Sequence, residues 1–207
     1  MAYINSLDMG NTPFLSEIEK KAIESYVPII KKETQRLLKF LLAERKPRKI
    51  LEIGAAVGFS AIIMAENSPE DAHITTIENY EKRIAIARDN IKKSGYDEKI
   101  TLLEGNAEDI LPGLEPGYDM IFIDAAKAQY PYYLEEARRL MTGDALLMAD
   151  NCLQEGDIFE SKFVVTRRDR TIHKRMREFL YNISHDGDFR SVILPVGDGV
   201  TLAVKER

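Results

Sequence analysis

The sequence predicts an α/β protein built on a doubly wound, mostly parallel sheet that finishes in an antiparallel hairpin. Three observations carry this. From Lys49 onward, short apolar runs of strand length alternate with helical periods, as parallel strands covered on both faces do. Near the end, Phe189 to Leu194 and Val200 to Val204 are separated only by Pro195-Val-Gly-Asp-Gly199, a turn-rich loop suited to a hairpin. Finally, 207 residues with 44% hydrophobic and 30% charged side chains fill one core and leave little for a second. The expectation is a single domain over 1–207, with 1–45 as an N-terminal helical extension.

Ser16 and Glu19 have the S-x-x-E spacing of a capping box, which predicts a helix from Glu17 to Val27, stopped near Pro28. A second helix is expected from Ile30 to Glu44. Its Leu37, Leu38, Leu41 and Leu42 form a stripe suited to packing on a sheet or on a second copy in a homodimer. Five strands follow: Lys49 to Ile53, His73 to Ile77, Ile100 to Leu103, Tyr118 to Ile123 and Ala145 to Ala149. Helices are expected after Gly58, Tyr80, Ala107 and Lys127, and past Asp169. No internal repeat or low-complexity linker interrupts the series.

Several classes of protein drop out on composition. Lys and Arg number 29 against 34 Asp and Glu, a net charge of −5, so nucleic acid could be bound only through a local patch. One cysteine, Cys152, allows no internal disulfide framework and no four-thiolate zinc site. The start MAYINSLDMGNTPF lacks the layout of a signal peptide, and no apolar run approaches the ~18 residues of a spanning helix. A cytoplasmic protein without a membrane partner is expected.

Ile50-Leu-Glu-Ile-Gly-Ala-Ala-Val-Gly-Phe-Ser60 reads as a strand, a tight turn with Gly54 and Gly58, and a helix start. Ligands of doubly wound sheets sit at such strand ends, where glycine lets them approach the backbone. The spacing is not the G-x-G-x-x-G of a pyrophosphate site, and Glu52 places a charge where a dinucleotide site is apolar, which disfavours an oxidoreductase. Glu52 suits a ligand ammonium, while Ser60 and the new helix's N–H groups suit a carboxylate. Glu78, 26 residues after Glu52, ends the second strand, where a carboxylate reads the two hydroxyls of an unphosphorylated ribose. Together Glu52, Gly54, Gly58 and Glu78 point to a ligand that joins an amino acid to a nucleoside, as S-adenosylmethionine does. The plainer role for these glycines is helix–sheet packing.

Asp124 ends the fourth strand, with Lys127 three residues on, and Asp150-Asn151 ends the fifth. Neighbouring strand ends bring these oxygens together, and hard oxygen donors suit Mg²⁺ far better than zinc. Taken singly, Asp150 and Asn151 could instead cap the next turn.

LEIGAAVGFS, TTIE, GNAEDILPGL, FIDAAKAQY and ADN, in that order, make the segment from Lys49 to Arg207 resemble the cation-dependent O-methyltransferases, the family of catechol and caffeoyl-coenzyme A methyltransferases. The resemblance implies metal ligands Asp124, Asp150 and Asn151. It also implies cofactor contacts at Glu52, Gly54, Ser60, Glu78, Asp124 and the Asn106-Ala107 turn, where the adenine lies, with Ile30 as a further contact. The plant enzymes resemble FVDADKDNY here, so Ala126 and Ala128 stand in place of two acidic residues.

From Lys162 to Arg177 the chain carries seven Lys or Arg and one acidic residue, six of the seven in the run RRDRTIHKRMREFLY that begins at Arg167. This run resembles the bacterial tRNA 5-hydroxyuridine methyltransferases, a branch of the same family. Asp169 is the expected N-cap of a helix whose Ile172, Met176, Phe179, Leu180 and Ile183 form one apolar face. Arg167, Arg168, Arg170, Lys174 and Arg177 would then hold phosphates of a tRNA anticodon loop, although a charge run is more often a solvated face. The chemistry is coherent, because catechol and 5-hydroxyuridine both present two neighbouring oxygens to a cation, which acidifies the hydroxyl. Lys127 is the proton acceptor placed to complete the reaction, unless it is only a surface lysine. A small-phenol methyltransferase and a non-catalytic nucleoside-binding module are the rival readings.

Overall fold

The computed structural model describes residues 3, 7, 9–161 and 163–206, and Lys162 therefore lies outside the described residues. The chain divides into two compact units, with the boundary between Ile110 and Leu111.

The first unit opens with helices α1 (Pro13–Glu24) and α2 (Lys32–Arg45). The capping box is displaced: α1 starts one turn earlier, because Thr12 Oγ1 accepts from Leu15 N at 3.4 Å and Pro13 supplies a ready-made first helical φ. Ser16 Oγ instead donates to Asn11 O at 3.4 Å. The helix also stops short of Val27, since Tyr26 turns left-handed (φ 55°) and Val27 N returns to Ala22 O at 2.8 Å. Of the predicted leucine stripe, Leu38 and Leu42 are buried, while Leu37 and Leu41 are half-exposed.

Three parallel strands follow: β1 (Lys49–Ile53), β2 (His73–Glu78) and β3 (Ile100–Glu104). Between them run α3 (Phe59–Asn67) and α4 (Glu81–Ser94). Helices α1 and α2 pack on α3, whose residues are buried from Phe59 to Ala65. The helix expected after Ala107 is a single turn, α5 (Ala107–Ile110).

In the second unit, β4 (Tyr118–Ile123) pairs in parallel with β5 (Met141–Ala149), and α6 (Tyr130–Leu140) connects them. Helix α7 (Arg170–His185) precedes the hairpin of β6 (Phe189–Leu194) and β7 (Val200–Lys205), which joins β5 through antiparallel pairing with β7. The strand order is β3-β2-β1 in the first unit and β4-β5-β7-β6 in the second. Helix α7 buries Met176, Phe179 and Ile183 as predicted, and Phe179 meets the Tyr130 ring edge-on at 5.3 Å. Gly199 is obligatory in the hairpin loop: its φ is 86°, and a Cβ there would overlap the Leu153 side chain. Among the described residues, no helix is long and apolar enough to cross a membrane.

Glu19 ties α1 to α2. It is 8% exposed and accepts from Lys32 Nζ at 2.8 Å and Gln35 Nε2 at 3.0 Å. Burial pushes its pKa up, but the hydrogen bonds from Lys32 and Gln35 and the Lys32 charge outweigh this, and the net shift is downward. A depressed folded pKa stabilises above the unfolded value and is lost as pH falls through the folded one. Glu19→Gln should therefore cost about 1–2 kcal/mol of unfolding free energy at neutral pH. Urea melts across pH should show that gap closing below about pH 4, and a constant gap would contradict this geometry.

Candidate active site

Parallel pairing aligns the carboxyl ends of the first unit's strands, with Ile53 beside Ile77 and Glu78 beside Glu104. Glu52, Gly54, Glu78 and Asn106 thus gather along one end of the sheet, where sequence reasoning placed the cofactor. The turn leaving β1 is tightly wound: Gly54, Ala56 and Gly58 all have positive φ, at 105°, 47° and 81°. Its conformation is set by the chain itself. Gly54 N and Ala55 N both donate to Ile77 O at 3.0 Å, and Asn90 Nδ2 donates to Val57 O at 2.8 Å. A Cβ on Gly58 would sit 3.4 Å from Ala87 O and Ile91 Cγ1, so this glycine serves the close approach of α4. Ser60 is buried in the first turn of α3.

Glu78 is the centre of this arrangement. Its Oε2 accepts from Ala56 N at 2.8 Å, while Oε1 accepts from Asn79 N at 3.0 Å and Tyr80 N at 2.8 Å. A carboxylate offers about four acceptor positions, so one is left for a ribose hydroxyl where the sequence suggested two. Glu52 lies wholly inside the protein, with Oε2 accepting from Thr76 Oγ1, the residue opposite it in the β1–β2 register. Asn106 is exposed, and its Oδ1 accepts from Asn79 Nδ2 at 2.9 Å. Ala107 opens the one-turn α5. Ile30 is buried just before α2, and its carbonyl accepts from Gln35 Nε2 at 2.9 Å.

In the second unit, Ile123 lies beside Ala149, and Asp150 N donates to Ile123 O at 2.9 Å. Asp124 and Asp150 consequently leave adjacent strand ends at the same level. Asp150 is buried, with Oδ1 accepting from Asn151 N at 2.8 Å, and Asn151 is left-handed (φ 55°), a conformation asparagine tolerates well. Lys127 Nζ donates to Asn151 Oδ1 at 3.1 Å and lies 6.0 Å from the Tyr130 ring centroid. Burial raises the pKa of Asp124 and the Lys127 charge opposes this, with a net upward shift. Two carboxylates and an amide form an oxygen-only donor set that fits a hard dication. Among the described residues no three His, Cys, Asp or Glu side chains form a metal cluster, so Asn151 and water would complete any cation shell here. Tyr130, which sequence reasoning missed, is buried and donates to Asp150 O at 2.8 Å, bracing the strand end. Its signal was the aromatic closing the FIDAAKAQY motif. Cys152 is no nucleophile, because burial pushes its thiol up to about 12.

The basic residues divide in two. Arg170 Nε donates to Val165 O at 3.4 Å and Arg177 Nε to Ile158 O at 3.1 Å, so both fasten the preceding segment to α7. Buried His173 does the same through Nε2 and Glu160 O, at 3.1 Å. Arg167, Arg168 and Lys174 are exposed and form no ion pair among the described residues. Asp169 occupies the N-cap position of α7, but its side chain takes the Thr166 hydroxyl and caps no helix N–H.

Because Glu78 accepts three backbone N–H groups, Glu78→Gln would turn one acceptor oxygen into a donor facing a donor. The variant should lose about 1–3 kcal/mol of unfolding free energy with no cofactor present. Calorimetry showing unchanged stability would contradict the bracing role.

The chain is similar to several methyltransferases. A catechol O-methyltransferase of Niastella koreensis is 36% identical over 129 residues, 60% of this chain and 58% of that enzyme. The chain thus spans less than two thirds of that relative. A catechol O-methyltransferase of Mycobacterium tuberculosis is 31% identical over 76% of this chain and 73% of its own length. The crystal structure of the O-methyltransferase from Bacillus cereus in complex with SAH superposes with a TM-score of 0.88 at 26% identity, covering 99% of this chain and 96% of that one. Residues 5–206 match the sequence profile described as O-methyltransferase, and on that match the chain belongs to the O-methyltransferase family.

Proposed function

We infer that the protein transfers a methyl group from S-adenosylmethionine to the 5-hydroxyl of 5-hydroxyuridine in a tRNA anticodon loop. Family membership and the SAH held by the Bacillus cereus relative support the cofactor. The observation that carries the RNA substrate is the exposed set Arg167, Arg168 and Lys174, which no carboxylate neutralises among the described residues. Ala126 and Ala128 add to it: by the family pattern two carboxylates are missing beside Lys127, which lowers the repulsion a polyanion would meet.

The Glu78 brace keeps the β1 turn in place, and its remaining acceptor position takes a ribose hydroxyl. Asn106 and Ala107 border the base. Asp124, Asp150 and Asn151 would hold Mg²⁺, which when bound makes a neighbouring hydroxyl more acidic. Lys127, placed beside Asn151, would take that hydroxyl's proton as the neutral amine, and the sulfonium would leave as the thioether S-adenosylhomocysteine when its methyl passes to the oxygen. Methyl transfer then needs chiefly alignment. An unpaired base can be splayed out for such a reaction while arginines hold the flanking phosphates.

A small catechol is the second reading, favoured by the names of the two catechol methyltransferases described above. Both substrates should be offered side by side, with labelled S-adenosylmethionine and tRNA whose wobble uridines carry the 5-hydroxyl. The expected result is transfer to tRNA, lost in excess chelator and restored by Mg²⁺. Efficient methylation of catechol with none on tRNA would overturn the RNA substrate, and full activity in chelator would overturn the cation.

A further inference from the structure

Among the described residues Tyr130 is the largest side chain wholly inside the protein, and the reaction above gives it no part. Local structure explains where it points. Lys127–Gln129 forms a single 3₁₀ turn, closed by Tyr130 N donating to Lys127 O, and side chains three apart in such a turn lie one above the other. The Tyr130 ring accordingly rests with its centroid 6.0 Å from Lys127 Nζ. Its sides are occupied: Phe179 of α7 meets it edge-on at 5.3 Å, and the Tyr133 ring lies at 6.2 Å. Close packing on both sides holds the hydroxyl at one point.

That point is where the two strands end. The hydroxyl lies 2.8 Å from Asp150 O and 3.4 Å from Ile123 O, and Ile123 O already accepts from Asp150 N at 2.9 Å. A phenol has one proton, and the shorter contact takes it. The bond thus adds a link beyond the last paired residues of β4 and β5, Ile123 and Ala149, among the residues that carry the candidate cation ligands. Asp124 follows Ile123 directly, and Asp150 is itself the residue held. Mg²⁺ tolerates little departure from octahedral geometry, so its affinity depends on how the backbones bearing the two carboxylates are spaced. We propose that Tyr130 is a positioning residue for the cation: its hydroxyl, by holding the Asp150 carbonyl beside Ile123, sets the spacing of Asp124 and Asp150. This rests on the cation reading above and adds a group that touches neither the ion nor the substrate. Outer groups of this kind typically change metal affinity by about 10–100-fold. Packing alone would affect stability and leave affinity where it was.

Mn²⁺, a dication that also favours oxygen ligands, serves as the probe, its unbound fraction read by electron paramagnetic resonance on protein first stripped with chelator. Tyr130→Phe keeps the ring against Lys127 and removes only the hydroxyl. Its Mn²⁺ dissociation constant should rise by roughly tenfold or more. Phe179→Leu keeps the hydroxyl but loses the edge contact that steadies it, and should raise the constant by about twofold or more. Ile183→Val, elsewhere on α7, should lower the melting temperature in chelator and bind Mn²⁺ like the parent. Parent-like affinity in Tyr130→Phe, or in Phe179→Leu should the first variant not fold, would overturn the positioning role while leaving the cation site standing. An equal loss of affinity in Ile183→Val would overturn it too, by marking the effect as general destabilisation. Asp150→Ala should abolish the Mn²⁺ binding. If it binds like the parent, or the parent binds no Mn²⁺, the cation reading falls and the proposal with it.

Discussion

In-register parallel pairing is the constraint from which the rest of the site follows. With Ile53 level with Ile77 and Glu78 level with Glu104, the residues that leave those strands come out at one height. The same holds where Ile123 pairs with Ala149 and delivers Asp124 and Asp150 together. A shift of one residue in either pairing would send these side chains to the opposite face of the sheet. A slip of β1 against β2 would also part buried Glu52 from the Thr76 hydroxyl opposite it.

At these strand ends the carboxylates already work within the protein. Glu78 fixes the β1 turn through Ala56 N, Asp150 steadies Asn151 N, and Glu52 takes the Thr76 hydroxyl. Such bracing makes the site stiff before any ligand arrives, which lowers the entropic cost of binding. It also means that removing one of these carboxylates damages the scaffold and the chemistry together. Loss of activity alone therefore identifies none of them as a ligand contact.

The parts of the fold written as local pattern were legible. Strands β1 and β4 carry the boundaries expected from their apolar runs, and the Pro195–Gly199 segment marks its hairpin. Helix starts were less so, because Ser16-x-x-Glu19 mimics a cap while Thr12-Pro13, a turn earlier, supplies the real one. Glu19 looked like a capping partner and is a bridge to Lys32 and Gln35 on the next helix, a contact with no trace in local spacing. The candidate site shows the same split. Motifs located Glu78, Asp124, Asp150 and Asn151, but not that Glu78 would hold three backbone amides or that Arg170 and Arg177 would fasten a segment through their Nε groups. Whether a phenylalanine such as Phe163 ends up in the core or in water depends on tertiary packing, and composition is silent on it.

Family membership brings the reaction type within reach, and the substrate is what distinguishes this chain's basic segment from an ordinary solvated helix face. The most direct measurement is mass analysis of the nucleosides in tRNA from cells with and without this protein. Deletion should remove 5-methoxyuridine and let 5-hydroxyuridine accumulate, with both reversed when the protein is restored. Identical nucleoside profiles in the two strains would contradict the assignment of tRNA as substrate.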